Sequence, residues 1–197
     1  MGGAAALMLL RSMSRPRWAR GGPAKTTQGF ASKLINILGG DTRALWVVES
    51  TGTTLRDSTG LGHTLTWSEP IQNFDTAPVA LGNGYAAVLN GTDEYGQTPD
   101  VTDLSFVGDV AFSLVTLFQV ADYTNNPAII SKMDAATPIE YLLDAANGYG
   151  ANPGNRVAGQ LWTSNGSNRI ARLSNSGDIP VNTWTLLSMT YSGSETV

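Results

Sequence analysis

A chain of 197 residues is long enough for one domain with an appendage and too short for a large multidomain enzyme. Charged residues make up 14%, against about 25% in an average soluble domain, which excludes a coiled coil, and 42% hydrophobic residues exclude a disordered chain. With no cysteine and a single histidine, His63, the chain has no disulfides, no thiolate zinc site, no cysteine nucleophile and no His-rich metal cluster.

The net charge of −4 is the sum of two unlike parts. Residues 1–43 hold seven basic residues and one acid, for +6, whereas residues 44–197 hold five basic residues and fifteen acids, for −10. The pattern is a basic arm joined to an acidic domain.

The chain opens with an apolar run, Ala4 to Leu10, followed by Arg11, Arg15, Arg17 and Arg20. A signal peptide carries its positive charge before the apolar run, so the order is wrong for one. Seven apolar residues also cover roughly half of a bilayer core or less, so no membrane partner is expected. Residues 1–29 therefore read as a basic, extended arm. Arg11, Arg15, Arg17, Trp18 and Arg20 are its candidate anchoring residues. Two readings stand: a plain flexible arm, or one that docks on something acidic, such as a partner protein, an assembled particle or packaged nucleic acid.

Residues 30–43 read as a short helix and linker. Phe30, Leu34, Ile37 and Leu38 fall at i, i+4, i+7 and i+8, one apolar stripe, and Gly39-Gly40 supply the stop. A helix of about nine residues cannot stand alone and must pack on the domain that follows.

From Ala44 the hydrophobic period becomes two. Val110, Phe112, Leu114, Phe118 and Val120 predict one face of a long central strand, with Thr116 its polar member. Further strands are predicted over 45–49, 63–67, 85–89, 95–98, 128–133, 139–144, 157–163, 169–173 and 183–191. Asn83-Gly84, Asn90-Gly91, Asn147-Gly148, Pro153-Gly154, Asn165-Gly166 and Ser192-Gly193 punctuate them as antiparallel hairpins do. The expectation is an all-β fold, and no phosphate-binding loop sits between a strand and a helix.

An ordered set of residues then resembles a family. It comprises Ala44-Leu-Trp46, the turn Asp57-Ser-Thr-Gly60 leading to His63, Asn90-Gly-Thr-Asp-Glu-Tyr95, the central strand from Val110, Ile129-Ile-Ser-Lys132, and Trp184 leading to Thr190-Tyr-Ser-Gly193. Together, across residues 44–197, these look like the laminin-G-like branch of the concanavalin A-like jelly rolls. That resemblance implies an antiparallel two-sheet jelly-roll sandwich. In that family further strands follow the last hairpin, so the sandwich is expected to lack its last strands, supplied either by more chain or by a partner. The arm and helix before Ala44 also resemble the openings of such proteins from tailed bacteriophages. This looser likeness implies a location on the virion, in contact with other virion or assembly proteins, in a homo-oligomer or larger assembly. An extracellular or cell-surface location is the alternative.

Proteins of this fold serve as lectins, adhesion modules, structural domains and glycoside hydrolases. Hydrolysis needs two carboxylates about 5–9.5 Å apart. The hydrolase-branch string Glu-x-Asp-x-x-Glu is absent, and Glu140 and Asp144 would lie about 13 Å apart along a strand. No catalytic residue is assigned. Many relatives hold Ca²⁺ by loop oxygens; the candidate ligands here are Asp93, Asn90 and Asp144, with ordinary turn chemistry as the competing reading. For glycans, the candidate residues are Tyr149, Asn147, Asn152 and Tyr123, with loop-covering rings as the competing reading. The sequence thus predicts a non-catalytic virion-associated structural or adhesion protein with a lectin-like outward domain. A free or cell-surface lectin is the alternative, and a glycoside hydrolase of the same fold the second.

Overall fold

A computed structural model of the chain describes residues 5–12, 30–39, 41–48, 53–69, 73–76, 85–106, 110–123, 127–132, 140–146, 156–162, 169–175, 177 and 179–193. Its strands are β1 (Ala5–Ser12), β2 (Thr42–Trp46), β3 (Thr54–Leu55), β4 (Leu65–Trp67), β5 (Asn73–Thr76), β6 (Tyr85–Val88), β7 (Gly96–Gln97), β8 (Phe112–Gln119), β9 (Ala128–Lys132), β10 (Tyr141–Ala146), β11 (Arg156–Trp162), β12 (Arg169–Leu173) and β13 (Thr185–Tyr191). One helix, α1 (Phe30–Leu38), and a single 3-10 turn (Thr102–Leu104) complete the described elements. The fold is all-β and antiparallel.

Two four-stranded sheets carry the core, one ordered β13-β8-β1-β2 and the other β12-β11-β10-β9. Every pairing within them is antiparallel. Alternation in β8 sets the arrangement: Phe112, Leu114, Thr116 and Phe118 are buried while the residues between them are only half-buried. They meet Ile130, Tyr141, Leu143 and Val157 of the second sheet in one apolar cluster, so the two sheets pack face to face in a sandwich-like arrangement. Val110, predicted on the same face, lies before β8 begins and is exposed. Two small sheets, β3-β4-β7 and β5-β6, account for the remaining strands.

Aromatic rings close one part of this core. Phe106 stacks on Phe112 with centroids 4.5 Å apart, and Tyr141 sits 5.8 Å from each. Such pairs contribute about 0.5–1.5 kcal/mol each beyond area burial.

The outer face of the first sheet is covered by α1. Leu34, Ile35 and Leu38 pack on Leu45, with Val47 and Val115 beside them. Ile37, predicted on the buried stripe, is 78% exposed, and Ile35 takes its place. The helix ends where Gly39 enters the left-handed region (φ 83) and donates its N–H to Ile35 O at 2.9 Å. The Thr42 hydroxyl then donates to Gly39 O, which turns the chain directly into β2.

The largest departure from expectation is β1. The sequence reading put residues 1–29 outside the sandwich and began the domain at Ala44. Instead Ala5–Ser12 pairs with β8 from Ala5↔Gln119 to Ser12↔Phe112 and with β2 through Met8↔Trp46. A short continuous apolar run bounded by polar residues is strand-length as well as signal-like, and here it is a strand between two others. Arg11 therefore lies on β1, opposite Thr42 and Ser113. Arg15, Arg17, Trp18 and Arg20 lie outside the described residues. Among the described residues no helix is long and apolar enough to cross a membrane.

Candidate functional site

The two large sheets are sealed together on one side and open on the other. On the open side β13 is the outermost strand of its sheet and β12 of its own. The inward residues of β13, Leu187, Met189 and Tyr191, reach the core but stay only half-buried, and outward Leu186 is 70% exposed. A cavity of about 320 Å³ opens between the edges. Leu143, Val157, Leu161 and Ile170 wall it on one side and Leu187 and Met189 on the other, with Arg172 its charged member. Gly159 permits the close approach here, since a Cβ at this position would fall 2.5 Å from Met189 Sδ. An apolar cleft beside the outermost described strand of a sheet has the chemistry to accept an extended segment, by main-chain pairing plus alternate side-chain insertion.

On the sealed side the polar residues are joined to one another. Asp57 is fully buried and accepts from Leu45 N (3.1 Å), Thr59 N (2.9 Å), the Thr59 hydroxyl (2.7 Å) and His63 N (3.3 Å). Burial by itself pushes its carboxyl up; the hydrogen bonds from the Thr59 hydroxyl and amide, then from the Leu45 and His63 amides, outweigh it and hold Asp57 below the usual 3.8. His63, at the start of the strand predicted over 63–67, is also buried. Its Nδ1 faces Asp57 Oδ2 and its Nε2 faces Asp103 Oδ2, each at 3.0 Å. His63 O accepts from Trp46 Nε1 at 2.5 Å. The knot ties β2, the turn after β3 and the 3-10 turn together. The two carboxylates address opposite sides of one ring and do not converge on a point where a metal would sit. Sequence reasoning missed it because Asp103 lies 40 residues from His63.

The carboxylates considered for hydrolysis are likewise engaged or enclosed. Lys132 Nζ contacts Asp100 Oδ1 at 2.7 Å and Glu140 Oε1 at 3.8 Å, and donates to Val101 O and to Ser105 Oγ. The Ser105 hydroxyl donates to Glu140 Oε1. Burial, then the negative charges of Glu140 and Asp100, pushes the Tyr141 phenol up. Asp144 alternates with the core residues Leu143 and Ala145, and so faces away from them, yet is only 2% exposed. Burial pushes its carboxyl above the usual 3.8, against a weak 3.5 Å hydrogen bond from Gln160 Nε2.

The predicted ligand residues fall in different places. Tyr123, expected to stack on a sugar, is buried at 4% and donates its hydroxyl to Ile179 O at 2.8 Å; the ring is core, and burial pushes its pKa up to about 12. Tyr149, Asn147 and Asn152 lie outside the described residues. Asn90 Oδ1 accepts from the amides of Thr92 (2.8 Å), Asp93 (3.2 Å) and Glu94 (3.3 Å), and Asn90 Nδ2 donates to Asp93 Oδ1 (2.7 Å). This is a self-satisfied Asx turn, with Gly91 at φ 72. The oxygens considered for Ca²⁺ are used by the turn, and Asp144 belongs to the second sheet. Among the described residues no group of three His, Asp or Glu side chains is placed to hold a metal ion.

In comparisons with known proteins, no family model, no curated protein and no solved structure matches the chain.

Proposed function

We propose that the protein is a non-catalytic structural or adhesion domain that works by strand-edge binding within an assembly. The observation that carries this reading is the open side: β13, the outermost described strand of its sheet, lies over an apolar cleft of about 320 Å³. The hydrogen bonding of Asp57, His63 and Lys132 supports it, since each is bonded within the fold. The sandwich is of the laminin-G-like jelly-roll kind, on the strength of the motifs between Ala44 and Gly193. On that resemblance the domain belongs to a phage particle, with its acidic body outward and open to glycans, and the basic tract Arg15–Arg20 attached to the particle. Because β1 belongs to the sheet, attachment is tested by Arg15→Gln, Arg17→Gln and Arg20→Gln together rather than by deleting the first 43 residues. Loss of particle binding with an unchanged melting temperature is expected; retained binding removes the anchoring role. Assay of the full chain on a broad polysaccharide panel tests the non-catalytic reading. Turnover abolished by Asp144→Asn would replace it with hydrolysis. Glycan-array binding weakened by Tyr149→Ala would favour a free lectin.

A further inference from the structure

Lysine is rarely enclosed unless it is paired, and the two lysines among the described residues differ in this respect. Lys33 is exposed on α1, whereas the side chain of Lys132, the last residue of β9, is 13% exposed. Oxygens surround its amine: Asp100 Oδ1 at 2.7 Å, Val101 O at 3.1 Å, the Ser105 hydroxyl, and Glu140 Oε1 at 3.8 Å. Ser105 in turn donates to Glu140 Oε1 at 3.2 Å. Glu140 Oε2 is buried and has no hydrogen-bond partner among the described residues, which an ion pair made for stability alone leaves unexplained. The neighbours in sequence, Leu104, Phe106 and Tyr141, belong to the core, so the cluster sits at the lip of an apolar region.

We infer that Lys132 and Asp100 condense into an amide, Nζ to Cγ, a covalent cross-link that the chain forms on itself. Asp100 is the acceptor because it is the nearer of the two carboxylates. The balance is that of a condensation: ammonium and carboxylate become amide and one water, with nothing oxidised or reduced and no further reactant. Nζ passes one proton through the Ser105 hydroxyl to Glu140, along the two hydrogen bonds already in place. Its lone pair then attacks Asp100 Cγ, the C–N bond forms, and one Cγ–O bond breaks. The departing oxygen takes the proton carried by Glu140 and a second one from Nζ, and leaves as water. Glu140 ends in the form in which it began. In free solution water opposes this reaction, but well-oriented groups held together by a fold meet at an effective concentration of about 10⁵–10⁸ M. Asp100 is 67% exposed, which gives the released water a way out. The bond closes residues 100–132 into a ring that holds all of β8, and fastens the segment after β7 to the second sheet. It goes beyond strand-edge binding and does not depend on it.

The test is the intact mass of the full 197-residue chain under denaturing conditions, followed by peptide mapping. The expected result is a mass below that of the sequence by one water molecule, with a branched peptide that joins Lys132 to Asp100. Asp100→Ala, which removes the acceptor, and Glu140→Gln, which removes the proton carrier, should each weigh what their sequences require. Both should melt below the parent, because the ring no longer restrains the unfolded chain. A parent of full sequence mass overturns the inference, as does a missing water that maps to any other pair of residues. A Glu140→Gln chain that has still lost the water overturns the route through Glu140. Should either variant fail to fold, the mass and peptide map of the parent decide by themselves. A parent of full mass leaves the non-catalytic reading standing, since that one falls only to turnover of a substrate.

Discussion

The sealed and open sides of this protein share one core and differ in what finishes them. On the sealed side Trp46, Asp57 and His63 form a buried chain of hydrogen bonds that half-exposed Asp103 completes. On the open side the same two sheets end at Leu187, Met189 and Ile170 with a cleft between them. The difference teaches that face-to-face apolar packing makes the sandwich, whereas its margins are decided by a few long-range polar contacts.

The contrast is open to direct challenge, most severely at Trp46. Truncation to Ala removes a buried ring from the sealed side and should cost about 3–5 kcal/mol in denaturant unfolding. Met189→Ala, on the open side, should cost only about 1–2 kcal/mol, because its side chain is half-buried to begin with. Equal losses would mean the two margins are alike.

The next effect is electrostatic. Asp57→Asn turns an amide donor toward the His63 N–H and ring, and should cost roughly 2–4 kcal/mol at neutral pH. Because the folded Asp57 carboxyl lies below its ordinary 3.8, its contribution is present above that pH and is lost as pH falls through the folded value. The variant should therefore show a shallower acid limb than the parent in thermal melts at stepped pH.

Asp144 has the opposite sign. Its folded carboxyl lies above the ordinary 3.8, so it withdraws stability as pH rises from 3.8 through the folded value. Asp144→Asn should raise the melting temperature at neutral pH, with the gain vanishing in acid. A loss at neutral pH would show that the ionised carboxylate is held by more than Gln160.

Gly159→Ala should be the mildest change. The new methyl displaces only the flexible end of Met189, for a cost of about 1 kcal/mol or less, and narrows the cleft. It sharpens the comparison by asking whether the open side can shift without loss of the fold.

Ten strands were legible because alternation is a local signal: Phe112, Leu114, Thr116 and Phe118 announce a buried face without reference to anything distant. β3 and β7 are two residues each, and β5, Asn73–Thr76, is mostly polar, so no period helps with β3 and β5; β7 was found through its aromatic and Gly neighbours. The helix was placed correctly, but its phase was not. Over nine residues Ile35 and Ile37 serve a stripe almost equally, and the landing surface of Leu45, Val47 and Val115 chose between them. The candidate site was less legible still. Tyr123 reads as a loop aromatic until Ile179 is seen to accept its hydroxyl, 56 residues on. His63 reads as a turn residue until Asp103 arrives from another element.

The position of β1 sets the order in which the molecule can be made. Its partner β8 is more than a hundred residues further along, and β13 closes on β8 later again. On a ribosome Ala5–Ser12 can pair soon with β2, but its other edge must wait for β8 until most of the domain has been synthesised. Local hairpins of the second sheet, β9 to β12, complete themselves in passing, whereas the first sheet assembles around a strand held in reserve. Slow maturation and a need for protection of the nascent N-terminal segment follow from that topology alone.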